Sequence, residues 1–113
     1  MNLIKVEIKL NKERILDDAE YIPERIMKGV DNAFAKHGFR KEILEDGTIC
    51  FWGNRQSDDF AKFGGLVVAL HKTEWFMPYV DKWLWYNSDG QLDEKCYRIE
   101  DILFFFTKKR SVA

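Results

Sequence analysis

The chain has 113 residues, enough for one domain spanning 1–113 and no more. Its 18 Lys and Arg residues against 19 Asp and Glu residues leave a formal charge of −1, without the basic excess that a polyanion-wrapping protein needs. With 46% hydrophobic and 15% aromatic residues, wholesale disorder is excluded; the longest apolar runs, 66–70 and 102–106, fall far short of the ~20 residues that span a bilayer.

At the N-terminus Ile4, Val6, Ile8 and Leu10 alternate with Lys5, Glu7 and Lys9, the period-two signature of a strand with one buried face. The same charges interrupt any early apolar segment, so no signal peptide or membrane partner is expected, and the expected location is the cytoplasm. The charged stretch 11–18 reads as a loop or a frayed first turn. Ile22, Ile26, Val30, Ala33, Phe34 and His37 then recur at spacings of three and four, which predicts a helix over about 19–37. Asp18 is its expected N-cap and Gly38 its left-handed C-cap.

Segments 39–44 and 48–52 flank Glu45-Asp46-Gly47 and predict a hairpin, since Asp-Gly relieves the positive φ of a tight turn. After Ser57-Asp58-Asp59, the positions of Phe60, Phe63, Val67 and Leu70 suit one face of a helix. Gly64-Gly65 weakens that pattern, and a strand over 66–70 is the competing assignment. Pro78 interrupts the aromatic stretch 73–86, so 83–87 reads as a strand preceded by a turn. A last helix is expected over about 99–108, with Glu100 and Asp101 in its first turn and Ile99, Leu103 and Phe106 facing inward; Phe104 and Phe105 cannot both share that face. The order β-α-β-β-α-β-α predicts an α+β domain, an antiparallel sheet with helices mainly on one face.

Chemistry-bearing motifs are sparse. Cys50 and Cys96 lack a C-x-x-C pairing, so they read as free thiols, with a disulfide as the alternative. No Walker or dinucleotide-binding glycine pattern and no G-x-S-x-G occurs. Asn87-x-Asp89-Gly90 fails as a calcium loop because Trp85 and Cys96 would stand where oxygen ligands belong. His37 and His71 have no nucleophile paired with them in sequence, and the adjacent acids Asp17-Asp18, Asp58-Asp59, Asp93-Glu94 and Glu100-Asp101 read as solvated or as helix starts. Neither an enzyme nor a cofactor is expected.

The remaining signal is a mixture of acids and rings in the last third. Between Asp81 and Asp101 six acids face three bases, and without Lys108, Lys109 and Arg110 the chain carries −4. Such a surface suits a basic protein partner, rings supplying anchor area and carboxylates steering encounter. The stretches Trp75-Phe76-Met77-Pro78-Tyr79, Lys82-Trp83-Leu84-Trp85-Tyr86-Asn87-Ser88-Asp89 and Tyr97-Arg98-Ile99-Glu100-Asp101-Ile102-Leu103 resemble the C-terminal half of bacterial contact-dependent growth inhibition immunity proteins of the CdiI type. That resemblance implies binding, in the cytoplasm, to the C-terminal toxin domain of a cognate CdiA-type protein, often a nuclease, without direct contact to nucleic acid. On charge and loop chemistry, Asp58, Asp59, Asp89, Asp93 and Glu94 are the expected contacts to toxin Lys or Arg, with Trp85 and Tyr86 as anchors. Rival readings are a nucleic-acid-binding module, from the βαββαβ order and the rings, and a homodimeric regulatory domain joined through Phe104 or Phe105.

Overall fold

A computed structural model describes residues 3–87 and 98–111. In chain order the elements are β1 (Ile4–Leu10), α1 (Lys12–Asp18), α2 (Pro23–Ala35), β2 (Arg40–Ile43), β3 (Ile49–Trp52), α3 (Asp59–His71), a 3₁₀ turn (Met77–Tyr79), β4 (Val80–Asn87), β5 (Arg98–Asp101) and α4 (Ile102–Thr107). The strands form one five-stranded sheet of order β2-β3-β1-β4-β5, antiparallel at every pairing. The expected α+β class is therefore what the chain adopts.

The alternation in β1 sorts the faces. Ile4, Val6 and Ile8 turn toward α2, α3 and α4, and join Val30, Phe34, Phe63, Leu66, Trp83 and Leu103 in the main core. Ring stacking fixes how the helices lie on the sheet: Phe34 stacks on Phe51 at 3.9 Å and Phe39 on Phe63 at 4.1 Å. Trp83 is fully buried, with Phe76 at 5.0 Å and Phe106 at 5.8 Å. Among the described residues no helix is long and apolar enough to cross a membrane.

Four expectations are corrected. First, part of the charged stretch is α1, a helix: Asn11 caps it by accepting from Arg14 N–H at 2.9 Å, and Ile15 drives into a second cluster with Ile26 and Tyr79. Second, Asp18 ends that helix instead of starting the next, and Pro23 opens α2 at its first helical position, where its missing N–H costs nothing. Third, residues 98–101 form an edge strand, so the last helix starts at Ile102 with Asp101 as its cap, accepting from Phe104 N–H at 3.1 Å. Glu100 thus lies in a strand and Ile99 is exposed, while Ile102 and Leu103 carry the burial. Fourth, β4 starts at Val80, sooner than expected, immediately after the 3₁₀ turn that Pro78 enters.

Two further expectations fail in part: α2 ends at Ala35 with Lys36 as its C-cap, so Gly38 lies beyond the cap, and Phe60 is exposed while Phe63 and Leu70 carry the inner face of α3. Residues 66–70 are helical within α3, and the Asp46-Gly47 turn joins β2 to β3 with Gly47 at φ 87°. Asp46 tightens that turn by accepting from Thr48 N–H at 2.9 Å. Cys50 is a free, buried thiol, and burial pushes its pKa up to about 12. Cys96 lies outside the described residues.

Candidate functional site

The residues expected to meet a partner are not brought together. Asp58 is exposed but ion-paired with Lys62 at 3.1 Å, one turn along α3. Asp59 is a correction: its carboxylate is buried, and Oδ2 accepts from Asn54 N–H at 2.8 Å and Gln56 N–H at 3.2 Å, holding the loop before α3. Trp85 is another: it sits on the helix-covered face of β4 between Phe60 at 5.4 Å and Phe63 at 6.2 Å, where it serves the core. Both are turned inward because strand and helix periodicity place them there, whatever their charge or ring. Asp89, Asp93 and Glu94 lie outside the described residues. Tyr86 alone among the expected anchors shows part of its ring, on the opposite face of the sheet.

That opposite face is where polar chemistry collects. No described helix packs on it. Because β1 is the central strand, Lys5 lies between Trp52 and Tyr86 and Glu7 between Cys50 and Leu84, while Lys9 stands beside Lys82. Glu7 is paired with Lys82 at 3.2 Å and Lys5 at 3.6 Å, and both Glu7 and Lys82 are nearly sealed from solvent. Lys82 also donates to the Thr48 hydroxyl at 3.3 Å. One row across the sheet reads Arg40, Trp52, Lys5, Tyr86, Ile99. Within it the Lys5 ammonium lies 4.8 Å from the Trp52 ring centre and 4.5 Å from that of Tyr86, and the Arg40 guanidinium stands 5.3 Å from Trp52. Burial and the neighbouring Glu7 carboxylate push the Tyr86 pKa up to about 12. The network joins β3, β1 and β4 and holds its cations over the rings, which leaves those ring faces capped.

A second surface has the character sought in the last third of the chain, but elsewhere. At the corner between α1 and α2, residues 12–25 hold five carboxylates (Glu13, Asp17, Asp18, Glu20, Glu24) against three bases, Lys12, Arg14 and Arg25. Arg14 is already committed, donating to Pro78 C=O at 2.8 Å and pairing with Asp81 at 3.3 Å. Beside these acids Leu16 is 64% and Ile22 54% exposed. The half-buried Tyr21 meets Tyr79 edge-on at 6.1 Å, and burial together with the Asp18 carboxylate raises the Tyr79 pKa. A shallow cleft of 220 Å³ between Tyr21, Arg25, Ile26 and Trp75 continues the corner; Gly29 forms its floor, since a Cβ there would stand 2.9 Å from the Trp75 ring. Reading along the sequence missed this corner because the segment looked like a loop. The signal available was Asn11 followed by Ile15 and Leu16, a cap ahead of one inward and one outward apolar residue.

The histidines have structural neighbours: His71 stacks on Phe106 at 3.7 Å and His37 lies 5.7 Å from Phe39. Among the described residues no three His, Cys, Asp or Glu side chains are grouped to hold a metal ion. Fold and surfaces together define a small antiparallel sheet domain, helix-backed on one face, with a polar opposite face and an acidic, apolar corner. Neither a family model, nor a curated relative, nor a solved structure matches the chain.

Proposed function

We propose that this chain is an immunity protein that binds a cognate toxin domain, a nuclease of the CdiA type, and neutralises it by covering its working surface. The observation that carries this reading is the α1–α2 corner. Its five carboxylates are solvent-facing and outnumber its three bases, of which Arg14 is tied back to the 3₁₀ turn and β4, and Leu16 and Ile22 offer apolar area that no described residue covers. A nuclease must attract phosphate and so presents a basic cleft, to which such a corner is complementary in charge and able to add buried anchors. The resemblance of the C-terminal half to CdiI proteins points the same way. The capped rings of Trp52 and Tyr86 weigh against base stacking, which needs open ring faces.

Co-expression of the chain with the toxic domain encoded beside it tests this directly. The proposal expects rescued growth and a stable 1:1 complex on purification; a toxin that kills equally with and without the chain would refute it.

A further inference from the structure

At the end of the sheet near the start of β2 lies a cleft of 390 Å³, lined by Leu3, Arg40, Trp52, Gly53, Asn54 and Arg55. No acidic side chain among the described residues lines it. Among the described residues neither Arg40 nor Arg55 has a carboxylate within ion-pair distance, although the chain has more acids than bases. The larger basic cleft beside α4 differs in that Asp81 lines it and Arg14 is consumed there by Pro78 C=O and Asp81.

Arg40 rests against the Trp52 indole, which holds the guanidinium by its face and leaves its N–H edges available in the plane. Arg55 is placed by a left-handed backbone, φ 55°, in a residue that is not glycine. Such a conformation costs of order 1 kcal/mol and persists only where its surroundings enforce it. Here Asp59 is the enforcing group, holding Asn54 N–H and Gln56 N–H on either side. That carboxylate is buried, its Oδ2 held by the two backbone donors and its Oδ1 without a partner among the described residues, so it braces the loop while Arg55 stays exposed. The Trp52 indole N–H is enclosed without an acceptor among the described residues.

We propose that this cleft is a receptor for a phosphate monoester, the phosphate bridging the Arg40 and Arg55 guanidiniums and the organic remainder lying along Leu3 and Trp52. Two guanidiniums without a carboxylate partner among the described residues match the roughly −1.5 to −2 charge of a monoester near pH 7 and bind its oxygens by charge-assisted forks. The volume lies within the ~300–1,000 Å³ range of small-molecule sites, so it has room for more than the phosphate alone. The site lies apart from the acidic corner and does not depend on the toxin reading.

The test is a titration of the ¹⁵N-labelled full chain with adenosine 5′-monophosphate, inorganic phosphate and adenosine at matched ionic strength. The monoester should produce saturable shifts at the Gly53, Asn54 and Arg55 amides and the Trp52 indole N–H, with at least fivefold weaker binding of inorganic phosphate and no shift with adenosine. Arg40→Ala and Arg55→Ala should each weaken the monoester at least fivefold while the melting temperature holds. Arg40→Lys, which keeps charge but loses the fork, should also weaken it, whereas Arg110→Ala should not. Absence of saturable shifts at millimolar monoester, equal affinity for inorganic phosphate, equal shifts with adenosine, or equal loss in Arg110→Ala would each overturn the assignment.

Discussion

Replacing Glu7 with Gln removes one charge from the sealed network at the centre of the sheet and keeps its shape. The Glu7 carboxylate lies 3.2 Å from Lys82, with side-chain exposures of 8% and 11%. At an effective dielectric of about 20, unit charges at that spacing attract by roughly 5 kcal/mol, much of it offset by the desolvation of both groups. Removing one partner leaves Lys82 buried with the Thr48 hydroxyl at 3.3 Å as its remaining partner among the described residues, and breaking such pairs costs ~3–5 kcal/mol. A loss near ~3 kcal/mol is expected, because Lys5, more exposed at 17%, can turn to solvent while Lys82 cannot. That is a large part of the ~5–15 kcal/mol that stabilises a typical domain, and it should lower the melting temperature by more than about 10 °C. Urea denaturation at neutral pH measures it. The double variant Glu7→Gln with Lys82→Met buries no lone charge and should recover to within about 1 kcal/mol of the parent. A Glu7→Gln loss under ~1 kcal/mol, or strictly additive effects in the cycle, would refute the reasoning.

Asp101 accepts from Phe104 N–H, the Ser111 hydroxyl at 2.6 Å and Ser111 N–H at 2.8 Å, so Asp101→Ala should uncap α4, free the chain end from β4 and cost about 1–2 kcal/mol in denaturation. Burial alone would raise the Asp101 pKa, but those hydrogen bonds outweigh it and the net shift is downward; its stabilisation is therefore present above about pH 4 and lost as pH falls through the lowered value. The hydroxyl and N–H of Thr48 hold Asp46 down to about 2, so an NMR titration should show Asp46 staying ionised until about pH 2, the turn's contribution disappearing between about pH 4 and 2, and Thr48→Ala should move that midpoint up. Cys50, with its pKa raised to about 12, should resist alkylation at pH 8 in a Cys96→Ser background and react once the chain is unfolded; prompt labelling of the native protein would contradict its burial. Gly53→Ala places a Cβ 2.8 Å from Asp59 Oδ2 and 3.0 Å from Ile4 C=O, and should cost ~1–3 kcal/mol by urea denaturation, with the loop before α3 losing amide protection first.

The fold was largely legible because its central parts obey simple periods. Ile4, Val6 and Ile8 alternate, Ile26, Val30 and Phe34 recur helically, and Asp46-Gly47 marks its turn. Legibility fails where a segment is held by distant partners. The helix 12–18 depends on Ile15 meeting Ile26 and Tyr79, and on Arg14 reaching Pro78 C=O, contacts that no local pattern encodes. Strand 98–101 is a strand because it pairs with residues 84–87; its own composition, with Glu100 and Asp101 side by side, fits a helix start equally well. The site residues were less legible for a related reason. Charge and ring type suggested Asp59 and Trp85 as contacts, but which way a side chain turns depends on element phase, and both turn inward. The pairing of Glu7 with Lys82 joins residues far apart in sequence through the β1–β4 register, and only the sheet order reveals it.

Whether the α1–α2 corner is the surface that meets a toxin can be read in one binding experiment. Association of the chain with the adjacent toxin domain is followed by biolayer interferometry at two salt concentrations, for the parent and for the triple variant Asp17→Lys, Asp18→Lys, Glu20→Lys. A nuclease held by this corner should associate at least tenfold more slowly with the variant, the parent's on-rate should fall as salt rises, and toxin activity should return. Unchanged association and undiminished protection by the variant would place the contact elsewhere, and no binding by the parent would remove the immunity reading itself.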